Sequence, residues 1–395
     1  MTIKQLAFDA RQLLQSQAGA AIKLSHVYEL MASAYGFKTY ASLCAEHVFT
    51  RVGQDQTPSA EAIGERCPEL GYAPENARSI ADLLPRYLRD QNISVVRIPD
   101  LLAAIHEDSP EIQDDWGDEY DDEEEQFGEL DDESDTDSEP SFHGQPEFWS
   151  DDALLMSGLE AAAERGNAEA HFALALLLNP ESFDDDQNDR SGWYWAQQES
   201  EGRTLSGIEK EWAQSYRDTR DRTMAFEHHL RSAGALGHSG ALLLMAEHFN
   251  DATFFETAKD LSRVSDPVHA ARIAENLERH DDAKAWWIRA AEQGNTEAMR
   301  HLIECYGDDD LTRGWTWLYL AQLLGTDLTK DHYEAIDESG APYDDDVGGA
   351  AYVGGFGGVE LAEISAAEHA SAREHADALY SAIQAHHHER LTARG

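Results

Sequence analysis

Three stretches of this 395-residue chain repeat one pattern: an apolar helix, small residues, a glycine, a polar residue, and a second helix that opens with alanine. They are LEAAAERGNAEAHFALALLL from Leu159, HLRSAGALGHSGALLLMAEHF from His229, and WWIRAAEQGNTEAMRHLIECY from Trp286. Each predicts one αα-hairpin. Ala162 and Ala163, Ala233, and Ala290 and Ala291 are small enough for a paired helix to approach closely. Gly166, Gly237 and Gly294 stand where a chain leaving a helix needs positive φ. Asn167 and Asn295 are good N-caps for the returning helix, and Glu169 and Glu297 in its first turn favour the helix dipole. Ala170, Ala241 and Ala298 are then placed to pack against the first helix. One such hairpin cannot bury its own apolar face, so copies must stack, and the fold class is all-α, an αα-hairpin repeat solenoid.

The pattern A-A-[ED]-x-G-[ND]-x-x-A, preceded by aromatics such as Trp286 and Trp287, resembles the Sel1-like repeat family, relatives of tetratricopeptide repeats. His238 and Gly240 in the middle copy depart from the usual residues. The marker glycines are spaced wider than a solenoid period of about 20–50 residues, so a worn copy or an insertion lies between each pair. GWYWAQQES at 192–200 is similar to the first helix of a worn copy, and DPVHAARIAENLERHDDAKA at 266–285 to the second helix of another. The unit from Arg313 keeps the aromatic helix and loses the Gly-Asn turn, and the helix after Ile364 resembles the closing helix of such arrays. The resemblance covers 151–385, with a glycine-rich insertion near 344–359 and a tail at 386–395. It implies an adaptor or scaffold that gathers other proteins and has no catalysis of its own. Trp286 and Trp287, adjacent on one helix, cannot both point the same way, so one of them is the candidate partner contact.

Residues 1–106 read as a separate small all-α module. Ile3, Leu6, Ala7, Ala10 and Leu14 follow helical spacing. Ser25 is placed to cap a second helix, Gly36 to end it, and Thr39 to cap a third. Glu69-Leu70-Gly71-Tyr72 repeats the helix–glycine–aromatic step, Pro74 opens the next helix, and Pro85 is expected to bend or end it. LSHVYELMASAYGFKTYASL has a helix–turn–helix flavour, but only Lys38 lies nearby to meet phosphates, so an αα-corner is the better reading. The stretch also resembles a small helical module at the N-terminus of assorted bacterial cytosolic proteins, some described as glyoxalase-related. That likeness implies no glyoxalase chemistry, because the His and Glu metal ligands of that fold are not recognisable.

Between these parts the charge collapses to one sign. Residues 107–140 carry 19 acidic and no basic side chains, a large part of the chain's net −47. Such a run cannot bury enough apolar surface to offset chain entropy, so 107–150 is expected as a disordered acidic linker between two folded units. Trp116, Tyr120, Phe127 and Leu130 interleaved with the acids allow a second reading. In it the run docks on a basic groove or imitates a phosphate row, as an acidic inhibitor, antitoxin, immunity protein or DNA mimic would.

Function classes narrow further. A chain this acidic is repelled by nucleic-acid backbone and by anionic lipid, so a protein partner with basic character is expected, and no direct nucleic-acid binding. No run of about 18 apolar residues predicts a membrane span, and Asp9 and Arg11 interrupt any signal-peptide core. Cys44, Cys67 and Cys305 lie far apart, which fits a reducing cytoplasm. No HExxH is present, and Asp189 and Trp195 spoil the calcium loop hinted at by Asp184, Asp186 and Asn188. His386–His388 reads as a solvated helix end, and the glycine-rich run lacks the GK[ST] of a phosphate loop. The expectation is therefore no catalytic, cofactor or metal site, with His26, Tyr28 and His47 the residues to test were an enzyme hidden in the first module.

Overall fold

A helix that ends must satisfy its last carbonyls and turn its chain, and this protein does so repeatedly with a residue of positive φ whose neighbours bond back into the final turn. The computed structural model describes residues 1–18, 21–52, 56–108, 149–180, 189–257, 266–307, 310–336 and 352–393. Among the described residues the chain is predominantly helical, with 17 helices and two antiparallel two-stranded sheets. It divides into two compact units, Met1–Leu242 and Leu243–Gly395. The acidic run from 109 to 148 lies outside the described residues.

Unit 1 opens with α1 (Ile3–Ala18), α2 (Leu24–Ala34) and α3 (Tyr40–Glu46), followed by β1 (His47–Thr50), α4 (Ala60–Glu69), α5 (Pro74–Asp90), β2 (Ser94–Arg97) and α6 (Ile98–Asp108). Thr39 caps α3 in a reciprocal box, its Oγ1 accepting from the Ser42 N–H at 3.0 Å. Ser25 does not cap α2: that helix starts one residue earlier, after Lys23, with no side-chain cap. Pro85 does not end α5 either. Ala77, Ile80, Leu84 and Leu88 bury both halves of the helix in the core, and that burial outweighs one lost backbone bond, about 3 kcal/mol. The all-α expectation for this region misses β1 and β2, four residues each, paired from His47↔Arg97 to Thr50↔Ser94.

The next helices, α7 (Ala153–Ala163), α8 (Ala168–Leu177), α9 (Asp189–Ser200) and α10 (Ile208–Ala235), belong to the same unit. Leu154 of α7 joins the apolar cluster of Leu6, Leu30, Met31, Ile80 and Leu84. Gly158 lets α7 lie against β1, since a Cβ there would sit 3.2 Å from the Val48 Cβ. Asp152 joins the two by hydrogen bonds. Its Oδ1 accepts from the Leu154 N–H at 2.9 Å, capping α7, while Oδ2 accepts from the Thr50 hydroxyl at 2.8 Å and the Arg51 N–H at 2.7 Å. Ser157 Oγ accepts from the Ile3 N–H, and the Asn167 side chain donates to the Ala45 carbonyl. Contacts thus draw no boundary at 106 or 151: Asp108 and Trp149, the latter 1% exposed, belong to the same unit.

Helix α11 (Ser239–Phe249) crosses the division between the units. Unit 2 continues with α12 (Thr253–Thr257), α13 (Pro267–Asn276), α14 (His280–Glu292), α15 (Thr296–Tyr306) and α16 (Leu311–Leu323). It ends with β3 (His332–Ile336), β4 (Tyr352–Phe356) and α17 (Ala366–Ala393). From α13 onward each helix packs on the next. The described part of the glycine-rich run is not an irregular insertion but strand β4, paired with β3 from His332↔Phe356 to Ile336↔Tyr352. Its glycines permit that approach: a Cβ on Gly355, whose φ is 115°, would fall 2.0 Å from the His332 carbonyl oxygen. Buried Arg300 of α15 anchors the ribbon, donating to the Gly357 carbonyl at 2.7 Å with its guanidinium over the Phe356 ring. Helix α17 runs on to Ala393, through the residues expected as a tail.

Asp152→Ala is expected to lower the unfolding free energy by about 2 kcal/mol, since it removes a cap and the acceptor of the Arg51 N–H, while the Thr50 hydroxyl keeps the Val52 carbonyl as its acceptor. Asp152→Asn keeps one acceptor oxygen and should cost less. Urea unfolding followed by circular dichroism measures both, and an unchanged midpoint in the alanine variant would show that the junction adds nothing.

Candidate functional site

The three repeated segments form the same turn. Gly166, Gly237 and Gly294 have φ of 85°, 84° and 98°, and the following residue donates back to Ala162, Ala233 and Ala290. Asn167 and Asn295 accept from the Ala170 and Ala298 N–H at 2.9 and 2.7 Å. Ala163, Ala170, Ala241, Ala291 and Ala298 are all buried where helices meet. The two departures in the middle copy have physical roles. His238 Nδ1 accepts from the Ala241 N–H at 3.2 Å and so caps α11 in place of asparagine. The His238 ring lies 4.3 Å from that of Phe172, and Gly240 leaves room for the same ring, since a Cβ there would come 3.0 Å from Phe172 Cζ.

Trp286 and Trp287 are not partner contacts in waiting: each is 2% exposed. They do point different ways, but α14 is covered by α13 on one side and α15 on the other, so both directions are inward. Trp286 stacks on Phe254, and the Trp287 indole donates to Glu275 at 3.0 Å while its ring lies 4.2 Å from that of His301. The exposed aromatics among the described residues of the repeat region are instead Trp193 and Tyr194 on α9, and Tyr333, Tyr352 and Phe356 on the β3–β4 ribbon. His26, Tyr28 and His47 each engage a different neighbour, respectively Tyr72, Tyr40 and Phe37.

What the helices of unit 2 do build is a polar line. His269, Arg272 and Glu275 recur every third residue on one face of α13. Each reaches a neighbouring helix. His269 Nε2 meets Glu247 of α11 at 3.0 Å, Arg272 donates to Glu297 of α15 at 2.7 Å, and Glu275 Oε1 meets His301 Nε2 of α15 at 2.8 Å. All six side chains remain partly exposed. The hydrogen bond from His269 holds the Glu247 carboxyl below its ordinary range, and that same bond raises His269, so each group favours the charged form of the other. The line was legible as a three-residue spacing in DPVHAARIAEN, but its partners on other helices were not.

A contrasting pair lies in unit 1. His171 Nδ1 of α8 faces His229 Nδ1 of α10 at 2.9 Å, with the His228 ring 6.3 Å from that of His171. One of these two ring nitrogens must carry the proton and the other accept it, so the bond requires at least one imidazole unprotonated at Nδ1. Burial, then His171 and His228, push His229 down to about 4, and burial followed by His228 lowers His171. Among the described residues no three or more His, Cys, Asp or Glu side chains converge to hold a metal ion, and no helix is long and apolar enough to cross a membrane.

Compared with known protein families, with curated proteins and with solved structures, the chain matches none.

The two histidine pairs give opposite pH dependence. His229 titrates near 4 when folded and near 6.5 when unfolded, so its contribution to the stability of unit 1 is complete above pH 6.5 and is lost as pH falls toward 4. His269 contributes below 6.5 and loses its contribution as pH rises through its raised folded value, while Glu247 contributes above about 4.5 and fades as pH falls below it. Titration of the imidazole resonances should place His229 below and His269 above 6.5, and the reverse order would refute both assignments.

Proposed function

We propose that the chain is a non-catalytic protein-binding adaptor whose αα-hairpins, of Sel1-like type, present the surface that holds a protein partner. The line on α13 is the observation that supports this reading most. Stacked helices fix His269, Arg272 and Glu275 in a row, each tied to a neighbour, so a mixed-charge surface is ordered before any partner arrives. A surface already ordered loses less entropy on binding. Below it, the buried Trp286 and Trp287 stiffen the helices rather than reach outward. The net charge of −47 favours a partner with basic character and speeds its encounter, while apolar and hydrogen-bonded contacts on the repeats hold it. Three free thiols fit work in a reducing cytoplasm.

Arg272→Glu sits at the centre of the line and replaces a half-exposed ion pair, so its cost to folding is expected at about 1 kcal/mol or less. Full-length protein and this variant, matched by circular dichroism, are each used for affinity capture from native extract with low-salt and high-salt washes. The expected result is a partner that survives high salt on the parent protein and is lost from the variant. The same proteins on both forms, or none on either, would remove the α13 surface from the account.

A further inference from the structure

The edge of β2 that faces away from β1 is closed by side chains rather than by a strand. Along a strand, the N–H and C=O of one residue project to the same side, and residues two apart project alike. Both groups of Val95 are taken by Gln56: its Nε2 donates to the Val95 carbonyl at 2.9 Å and its Oε1 accepts from the Val95 N–H at 3.1 Å. Two residues earlier, the Ile93 carbonyl accepts from the Tyr35 hydroxyl. A side-chain carboxamide is chemically a peptide group, and Gln56 makes with Val95 the pair of bonds that a neighbouring strand would make. The chain's own glutamine thus stands in for a peptide at this edge.

The surroundings suit a larger occupant than one amide. The edge lies in a cleft of about 930 Å³ whose walls include Tyr35, Phe37, His47, Val95, Arg97 and Gln56, a volume within the usual range for bound ligands. Gln56 itself is exposed, so it can be displaced. The segment that carries it stays held three residues on, where the Ser59 N–H donates to the Ala34 carbonyl at 2.7 Å and the Ser59 side chain caps α4. Displacing Gln56 therefore need not disturb the module. Tyr35 and Phe37 offer apolar ring surface beside the edge, and burial keeps His47 preferentially neutral there.

We infer that the cleft beside β2 is a docking site for an extended peptide segment of a partner protein, which adds as a strand at Val95 by displacing the Gln56 amide. The site belongs to the first hundred residues and is independent of the α13 surface, so either can fail without the other. A random nonapeptide display library panned against the full-length chain supplies the probes, and selected peptides are resynthesised with single backbone N-methyl groups. The expected peptides shift the Val95 amide resonance and lose at least tenfold in affinity when the pairing N–H is methylated. Gln56→Ala, which removes the competing amide, should tighten them about three- to tenfold, the worth of a neutral hydrogen bond or two, and Gln56→Glu should fall between. Thermal melts establish that both variants fold. Failure to select any peptide, binding that leaves Val95 unmoved, or indifference to N-methylation would overturn the assignment.

Discussion

One carboxylate joins parts of the chain that are a hundred residues apart. Asp152 starts α7 and, with its second oxygen, receives the end of β1, so the first repeat-like hairpin begins where the N-terminal helices finish. A buried carboxylate needs several donors to offset its lost hydration, and Leu154, Thr50 and Arg51 supply three. Leu154, two residues on, is thereby delivered to the core shared with α1, α2 and α5. Without that junction, Gly158 would have no reason to lie on Val48, nor Asn167 to reach Ala45 while also capping α8.

Local chemistry was the legible part of the sequence. Thr39, Gly36, Gly71, Asn167 and Asn295 do in the structure what their positions suggested, because a cap or a left-handed turn depends on its neighbours within a few residues. What escaped depends on distant partners. β1 and β2 are too short to show a period, and β4 carries two glycines among its five residues and pairs with a β3 some twenty residues earlier. Pro85 looked like a stop because its lost bond is local, whereas the burial that keeps α5 whole is not. The burial of both Trp286 and Trp287 required knowing that α14 is flanked on two sides. The polar line across unit 2 was half visible, as a spacing on α13 without its partners.

The middle hairpin shows how a worn repeat keeps its geometry. Exchanging asparagine for His238 retains the cap through a ring nitrogen but adds a bulky ring, and Gly240 supplies space beside Phe172 for the packing that follows. The two departures are one adjustment. A cap made by imidazole also differs from one made by amide, because it works only while Nδ1 is unprotonated.

The course of the chain through unit 1 has a topological consequence. Asp108 and Trp149 flank the acidic run, and the pieces on either side are bound to each other by a common apolar cluster and by the bonds to Asp152. Covalent continuity across that interval is therefore not what keeps the two pieces together. A break anywhere in the acidic run would leave two polypeptides complementing one another as a non-covalent pair. Joining two points by a chain costs an entropy that grows only logarithmically with the length between them, so evolution is free to lengthen, shorten or recharge the sequence between Asp108 and Trp149 while the packed pieces stay the same.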